Sequence, residues 1–428
     1  RTGTDTRHMV YLNTPTTDVV TNNNNYYFNN NDAKNFVGYL GSNDFATLLN
    51  WQTTLNDTNS VANDPLYENI ANGNFKPTNA SVNDLGAALT SPIAIDILGE
   101  ARKVLTPDMG AYEFEPDLCK VPPVAGISVA SESPICENAT VYLSLSEYST
   151  GKGQTYTWQA STDSLGSYAN ISSPLTNSTF SVNASSTLYY RAEVTCGSST
   201  TYSIPVAVKV IPGLAGGTYT INKEGLGDFK SFNEAVAAMS CGITSSVIFN
   251  VAPGTGPYEE QVIIDSIRGT SATSTVTFNG NGNTLKFSST NTDERAVITL
   301  RRADFVTFDS LTIDAAGNGA YGWGVFLTNN ADSNTIKNST INIPQSSTTA
   351  NYAGIVIAAS SSDPSSVGDA FSDGNIFDNN TIKGGYYGIA AMGGNNAFNA
   401  NNIFRNNTIQ DFYEYGIYIS RSQNNTIE

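Results

Sequence analysis

Asn402-Ile403-Phe404-Arg405-Asn406-Asn407-Thr408-Ile409 is the fourth appearance of one phrase. Earlier copies are Phe305-Val306-Thr307-Phe308-Asp309-Ser310-Leu311-Thr312-Ile313, Asn334-Thr335-Ile336-Lys337-Asn338-Ser339-Thr340-Ile341 and Asn375-Ile376-Phe377-Asp378-Asn379-Asn380-Thr381-Ile382. A fifth opens at Asn425-Thr426-Ile427-Glu428. The closing isoleucines, Ile313, Ile341, Ile382 and Ile409, are spaced by 28, 41 and 27 residues. The long step holds a polar insert, Ser360–Gly374. A second phrase keeps the same time: Gly324-Val325-Phe326-Leu327, Gly354-Ile355-Val356-Ile357, Gly388-Ile389-Ala390-Ala391 and Gly416-Ile417-Tyr418-Ile419.

Self-similarity at a near-constant period marks a solenoid. Each unit holds runs of three to five residues, β-branched and alternating, so the runs read as strands. Asparagine tolerates left-handed turns, and stacked asparagines hydrogen-bond from coil to coil. Stacking at the ~4.8 Å strand spacing sets each Ile or Phe over its counterpart and builds one continuous core. The expectation is a parallel β-helix. An antiparallel sandwich with Asn-rich turns is the competing reading, and it leaves the shared register unexplained.

A chain of 428 residues has room for two or three domains. Its net charge of −17 argues against nucleic acid and anionic membranes as partners, and against polyanions such as pectin. Without a run of 18 apolar residues, no direct membrane insertion by a helix is expected. The chain opens at Arg1-Thr2-Gly3 without a signal-peptide pattern and closes inside a repeat, so a segment of a longer protein is expected.

Residues 1–116 read as the C-terminal coils of an earlier β-helix. Met9–Asn13 and the Asn22–Asn31 tract share its strand-and-asparagine texture, and Phe45–Leu55 suits a short helix. Asp64-Pro65-Leu66-Tyr67, Ser91-Pro92-Ile93-Ala94-Ile95-Asp96, Gly99-Glu100-Ala101-Arg102 and Asp108-Met109-Gly110-Ala111-Tyr112-Glu113-Phe114 follow in that order. This series resembles the closing coils of bacterial pectin-lyase-like β-helix proteins, which implies a structural role in ending the solenoid.

Residues 117–212 change character. Pro122, Pro123 and Gly126 make a linker. Alternating runs at Val141/Leu143/Leu145, Tyr156/Trp158, Leu188/Tyr190/Ala192/Val194 and Val206/Val208/Val210 predict a β-sandwich with Trp158 in its core. Cys136, Tyr156-Thr157-Trp158-Gln159 and Tyr189-Tyr190-Arg191-Ala192-Glu193-Val194-Thr195-Cys196 resemble Ig-like modules in secreted proteins of Bacteroidota. Four cysteines allow three fully paired connectivities. The resemblance favours Cys136–Cys196, leaving Cys119 and Cys241 unassigned; four unpaired thiols are the alternative.

Residues 213–428 read as the cap and first coils of a second β-helix. Ser231 and Glu234 form a capping box, and Phe232, Ala235, Val236 and Met239 fall on one face of a short helix. That helix is expected to cover the apolar mouth of the solenoid. Gly227-Asp228-Phe229-Lys230-Ser231, Pro257-Tyr258-Glu259-Glu260-Gln261-Val262 and Arg295-Ala296-Val297 resemble the opening of pectin methylesterases. The resemblance implies scaffold and no catalysis, because Trp323 replaces the glutamine those enzymes use to polarise the ester, and their aspartate- and arginine-bearing motifs have no counterpart.

Other chemistries offer little. Asp309, Asp314, Asp378 and Asp411 read as occupying different places in their repeats, His8 has no visible partner, and the cysteine spacing shows no metal site. No catalytic residue, cofactor or metal is assigned. Asp363, Asp369 and Asp373 in the insert are candidate Ca²⁺ ligands, with a solvated loop as the preferred reading. Tyr386, Tyr387, Tyr413, Tyr415 and Tyr418 are candidate glycan contacts, set against simple packing.

The alternation of helix end, sandwich and helix start resembles giant surface adhesins exported by the type IX secretion system of Bacteroidota, gliding-motility adhesins among them. That resemblance implies a non-catalytic, extracellular, cell-surface-attached adhesin or stalk. It further implies a surface polysaccharide and the outer-membrane secretion and motility machinery as partners. It also implies O-glycosylation at Asp-Ser-apolar triplets, here at Ser164, Ser266 and Ser310. The alternatives are a polysaccharide-active enzyme of the pectin esterase or lyase type and a glycan-binding module.

Overall fold

The computed structural model describes residues 6–13, 19, 21–28, 34–55, 57–88, 93–317, 319–345, 347–368, 371–394 and 398–428. Asn29–Asn31 of the asparagine tract, Ser91, Pro92 and Asp369 lie outside the described residues. The chain falls into two compact units, Arg1–Ile211 and Pro212–Glu428.

Alternating apolar residues dictate the second unit, a right-handed parallel β-helix. Its first sheet stacks eight strands, from Gly217–Ile221 and Val247–Val251 to Ile403–Arg405 and Thr426–Ile427. The second stacks six strands from Tyr258–Glu259 to Thr408–Gln410, and the third six from Val262–Ile264 to Tyr415–Ser420. Every pairing in these three sheets is parallel, which excludes the antiparallel alternative. Ile313, Ile341, Ile382 and Ile409 are successive register partners, so the 41-residue step is one coil with its insert looped out.

The inward side chains stack in columns. Phe249, Phe278 and Phe308 lie ring over ring at 4.8 and 4.9 Å, and Phe377 lies over Phe404 at 5.1 Å. Burying each such ring contributes about 1.5–3 kcal/mol. A glycine column, Gly324, Gly354 and Gly388, faces the isoleucine column. A Cβ on Gly354 would lie 2.5 Å from Ile382 Cγ2 and 2.4 Å from the Gly388 carbonyl, so the repeated glycine makes room for the repeated isoleucine.

Asparagine performs two separate tasks. Asn338, Asn379 and Asn406 take the left-handed turn, with φ of 51°, 54° and 56°. Different asparagines form the buried ladders. The Asn334 N–H donates to Asn375 Oδ1 at 2.9 Å, the Asn375 N–H to Asn402 Oδ1 at 2.9 Å, and the Asn402 N–H to Asn425 Oδ1 at 2.9 Å. Each Nδ2 reaches back to a carbonyl of the coil before: Asn334 to Ala303, Asn375 to Ala331, Asn402 to Ser372. Ser339, Asn380 and Asn407 repeat the pattern at the next corner. Side chains thus satisfy backbone N–H and carbonyl groups that the strands leave over at each turn.

The cap forms as its sequence predicts, over Phe232–Ala238. Ser231 Oγ accepts from the Glu234 N–H at 3.0 Å, while Glu234 accepts from the Lys230 N–H at 2.7 Å. Glu260 accepts from the Phe232 and Asn233 amides, adding a carboxylate at the helix N-terminus. Phe232, fully buried, stacks on Phe278 and meets Tyr258 edge-on.

In the first unit two antiparallel sheets enclose one core. Strands Ile127–Ala130, Ala139–Ser146 and Phe180–Ala184 form one sheet; Gln154–Ser161, Ala169–Asn170, Leu188–Cys196, Ser199–Tyr202 and Val206–Val208 form the other. Trp158 is fully buried between them with Val141, Leu143 and Tyr190. The disulfide joins Cys119 to Cys196, which corrects the expected Cys136–Cys196 pairing. The cause lies in the linker. Leu118 bridges Lys152, and the Cys119 N–H donates to the Lys152 carbonyl at 3.2 Å. That lays Cys119 beside the start of the Gln154 strand, and Gln154 is the register partner of Cys196. Cys136 instead pairs with Ile211 at another edge, and none of the four cysteines is a free thiol.

Upstream, strand Arg7–Leu12 pairs in parallel with Asn35–Leu40. The helix starts at Leu48, because Asn43–Phe45 is drawn into a strand antiparallel to Asn35–Leu40. Trp51 is fully buried against Gly38, where a Cβ would collide with the indole.

Candidate functional site

The outer face of the third sheet changes character along its length. One register row runs Ala296, Trp323, Ala353, Tyr387, Tyr415; another runs Ile263, Thr299, Phe326, Val356, Ala390, Tyr418. Its middle is apolar and buried, with Ala350 and Val367 packed on it. Val367 belongs to the polar insert, so the insert serves to cover this stripe.

Where the stripe continues, the tyrosines meet. Tyr386 lies 5.8 Å from Tyr413, Tyr387 5.8 Å from Tyr415 and 5.6 Å from Tyr418. The five candidate glycan contacts are therefore one cluster. Tyr387 is only 7% exposed and belongs to the packed stripe, whereas Tyr413 is 58% exposed.

Toward the cap the same face opens into a groove of about 330 Å³. Gln261, Thr299, Arg301 and Thr328 line it from three successive coils, with Asp293, Glu294 and Arg295 from the preceding loop. Arg295 is held in place: Nε donates to the Thr292 carbonyl at 2.8 Å, and the other nitrogens to Asn351 Oδ1 and Thr292 Oγ1. Its guanidinium lies 4.3 Å over Tyr321 and 5.4 Å from the Trp323 ring. Burial pulls its pKa below the ordinary arginine value.

Two charge rows were not legible in the sequence. Asp309, Lys337, Asp378 and Arg405 are register partners on the first sheet, so Asp309 and Asp378 occupy the same place in the repeat. This corrects the reading that separates them. The signs alternate coil by coil, with Lys337 3.3 Å from Asp309 and Arg405 2.9 Å from Asp378. Arg405 holds the Asp378 carboxyl below its usual range. Burial raises Asp309, but Asn338, Ser310 and Lys337 outweigh it and leave its pKa low.

The second row is Asp304, Asp332 and Asp373, one position ahead of each left-handed corner. The Asp332 N–H donates to Asp304 Oδ1 at 2.8 Å, the Asp373 N–H to Asp332 Oδ1 at 2.7 Å, and the Ala400 N–H to Asp373 Oδ1 at 2.6 Å. Burial, then the charges of Asp304 and Asp373, raise the Asp332 pKa. A raised carboxyl binds its proton more tightly folded than unfolded. Its contribution is therefore full below the unfolded pKa and lost as pH rises through the folded value. Asp332→Asn keeps the Oδ1 acceptor and removes the charge. It is expected to stabilise the unit at pH 7 by at most about 1 kcal/mol and to flatten its loss of stability above pH 4; urea denaturation across pH checks both.

The remaining candidates have plain structural roles or stand apart. Asp363 caps a turn, accepting from the Ser365 N–H and Oγ, while Asp373 belongs to the aspartate row. Among the described residues, the carboxylates that approach metal-site geometry are Asp84, Asp108 and Glu113 instead. Their oxygens already accept backbone amides: Asp108 from Asp84 and Phe114, Glu113 from Lys103 and Asp108. With Asp96, which accepts from Leu98, Glu100 and Glu113, they tie together the closing motif series. His8 Nε2 has a partner after all, Asp44 at 2.6 Å. Ser266 is exposed, Ser164 half-buried, and Ser310 Oγ bonds Asp309 in a left-handed turn.

No curated protein and no solved structure matches the chain. Residues 125–212 match the model of a domain of unknown function (DUF8696), which places a family boundary on the sandwich. Residues 323–428, the coils that carry the repeated phrase, match the model of the right handed beta helix region.

Proposed function

We propose that the chain is a non-catalytic segment of a large extracellular adhesin or filament-like stalk, attached to a bacterial cell surface. The observation that carries this reading is the continuity of the Asn334–Asn375–Asn402–Asn425 ladder with the aromatic columns beside it. Each of these coils is bonded to the next by parallel backbone pairing and by the side-chain ladder, with ring stacking added where Phe377 meets Phe404, as a load-bearing stack requires. The carboxylates along the coils support it as well. Asp309 and Asp378 are each paired to a cation, and Asp304, Asp332 and Asp373 each accept a backbone amide.

In this reading the secretion route is the type IX system of Bacteroidota. The partners are a surface polysaccharide and the outer-membrane secretion and motility machinery, with no nucleic acid and no membrane insertion. The sandwich serves as an Ig-like spacer between β-helical modules, and the candidate O-glycosylation sites are Ser164 in the sandwich and Ser266 and Ser310 in the β-helix unit. The test is mass spectrometry of the native protein against its genome. Further β-helix and sandwich modules in series, ending in a sorting domain, are expected. A chain closing within a few coils of Glu428 on a carboxylate cluster would favour a polysaccharide-active enzyme.

A further inference from the structure

The outer face of the second sheet is built from two straight rows. Thr284, Thr312, Thr340, Thr381 and Thr408 are successive register partners, and so are Lys286, Asp314, Asn342, Lys383 and Gln410. Leu285, Ile313, Ile341 and Ile382, between the rows, are buried in the core. Both rows stay half-exposed over the strands from Thr284–Lys286 to Thr381–Lys383 and are exposed on Thr408–Gln410. The other two outer faces are already engaged. On the first sheet Lys337 pairs with Asp309 and Arg405 with Asp378, while on the third Ala350 and Val367 pack over an apolar stripe. On the second, Asp314 Oδ1 accepts the Ala316 N–H at 2.9 Å. Among the described residues no side chain pairs with Lys286 or Lys383.

The order of charges along the second row decides what fits this face. Asp314 and Lys383 lie one coil to either side of Asn342. A second copy can be laid face to face about a two-fold axis that runs along the Thr340–Asn342 strand. The axis reverses the stack and keeps the rows in line. Each Asp314 then faces Lys383 of the second copy, giving two ion pairs. Asn342 faces its own equivalent, Lys286 faces Gln410, and threonine faces threonine throughout. Moving the axis one coil either way sets Asp314 or Lys383 against its own equivalent and loses both pairs. An axis along the stack sets each charge over a threonine or over its own equivalent. Sheets packed face to face lie about 10 Å apart, a gap that a lysine and a carboxylate span together.

We propose that this face docks a second copy of the chain in that antiparallel arrangement. Two lysines against one aspartate leave the face slightly positive within a chain of net charge −17, so copies meeting here bring no local excess of negative charge together. Five coils at the ~4.8 Å spacing, three residues wide, offer about 250 Å² per copy, against about 800 Å² per partner in a standard interface. The docking is therefore weak between free segments and gains where copies stand side by side at high local concentration. It goes beyond the stalk reading and does not depend on it.

Sedimentation equilibrium of the full chain at up to about 1 mM tests it. A concentration-dependent dimer is expected. Lys383→Glu, at a side chain that bonds nothing within the chain, is expected to weaken the dimer tenfold or more. Asp314→Lys is expected to do the same. Asp314→Lys combined with Lys383→Glu is expected to restore the dimer, because the swap regenerates both ion pairs, a rescue that a purely structural role would not give. Lys337→Glu, the same charge change on the first sheet, is expected to dimerise as the parent does. A monomer at every concentration overturns the proposal. So does a dimer that Lys383→Glu leaves unchanged, a folded charge swap that fails to restore association, or equal weakening by Lys337→Glu. None of these results touches the genome test of the stalk.

Discussion

Asn375→Ala is expected to destabilise the Pro212–Glu428 unit by about 4 kcal/mol, although it removes only a small polar side chain. Asn375 is fully buried. Its Oδ1 accepts from both the backbone N–H and the Nδ2 of Asn334, at 2.9 and 3.1 Å. Its Nδ2 donates to the Ala331 carbonyl at 3.0 Å and to Asn402 Oδ1 at 3.1 Å. Truncation strands a backbone donor and a carbonyl inside the stack, each costing about 1–3 kcal/mol, and adds a cavity. Asn379→Ala is the matched control. That residue takes a left-handed turn and bonds Asn338 at 2.8 Å in an exposed position. Its loss is expected to cost about 1 kcal/mol, mostly in the turn. Urea denaturation of the two variants measures the difference. Equal, small effects would mean that the buried ladder does not hold the coils.

Removing the Cys119–Cys196 disulfide is the second large effect. The bond closes a 77-residue span, and chain entropy alone then gives about 4 kcal/mol. The span encloses most of the sandwich, including the Trp158 strand and the central Leu188–Cys196 strand. Cys119→Ser with Cys196→Ser is therefore expected to lower the denaturation midpoint of the sandwich while leaving that of the β-helix unit in place. Non-reducing peptide mapping checks the pairing first. A Cys119–Cys196 linked peptide is expected, and a Cys136–Cys196 peptide would contradict the structure.

The solenoid was readable because its period is written into the chain: Ile341 and Ile382 share a phrase despite the 41 residues between them. The cap was readable from Ser231 and Glu234, since capping is local. The disulfide was not, because Cys119 reaches its partner through a linker bridge to Lys152, which leaves no pattern in sequence. The alternating row of Asp309, Lys337, Asp378 and Arg405 was hidden for a different reason. Its members differ in type, and only the register shows that they share one position. The aspartate row lies in turns, outside the phrase on which attention falls. Nor could sequence find the groove. It draws residues from Gln261 to Ser361, and it depends on which residues the Tyr352–Ile357 coil and the insert leave uncovered.

The stacked register is the claim from which the rest follows, and engineered cross-linking reads it directly. Thr340 and Thr381 are neighbours across adjacent coils, while Thr408 lies one coil further on. A disulfide needs Cα atoms about 4.4–6.8 Å apart, which adjacent parallel strands provide and next-but-one strands, near 10 Å, do not. Thr340→Cys with Thr381→Cys is expected to cross-link on mild oxidation, and Thr340→Cys with Thr408→Cys is not. Cross-linking of the second pair but not the first would break the stack at the insert and contradict the account.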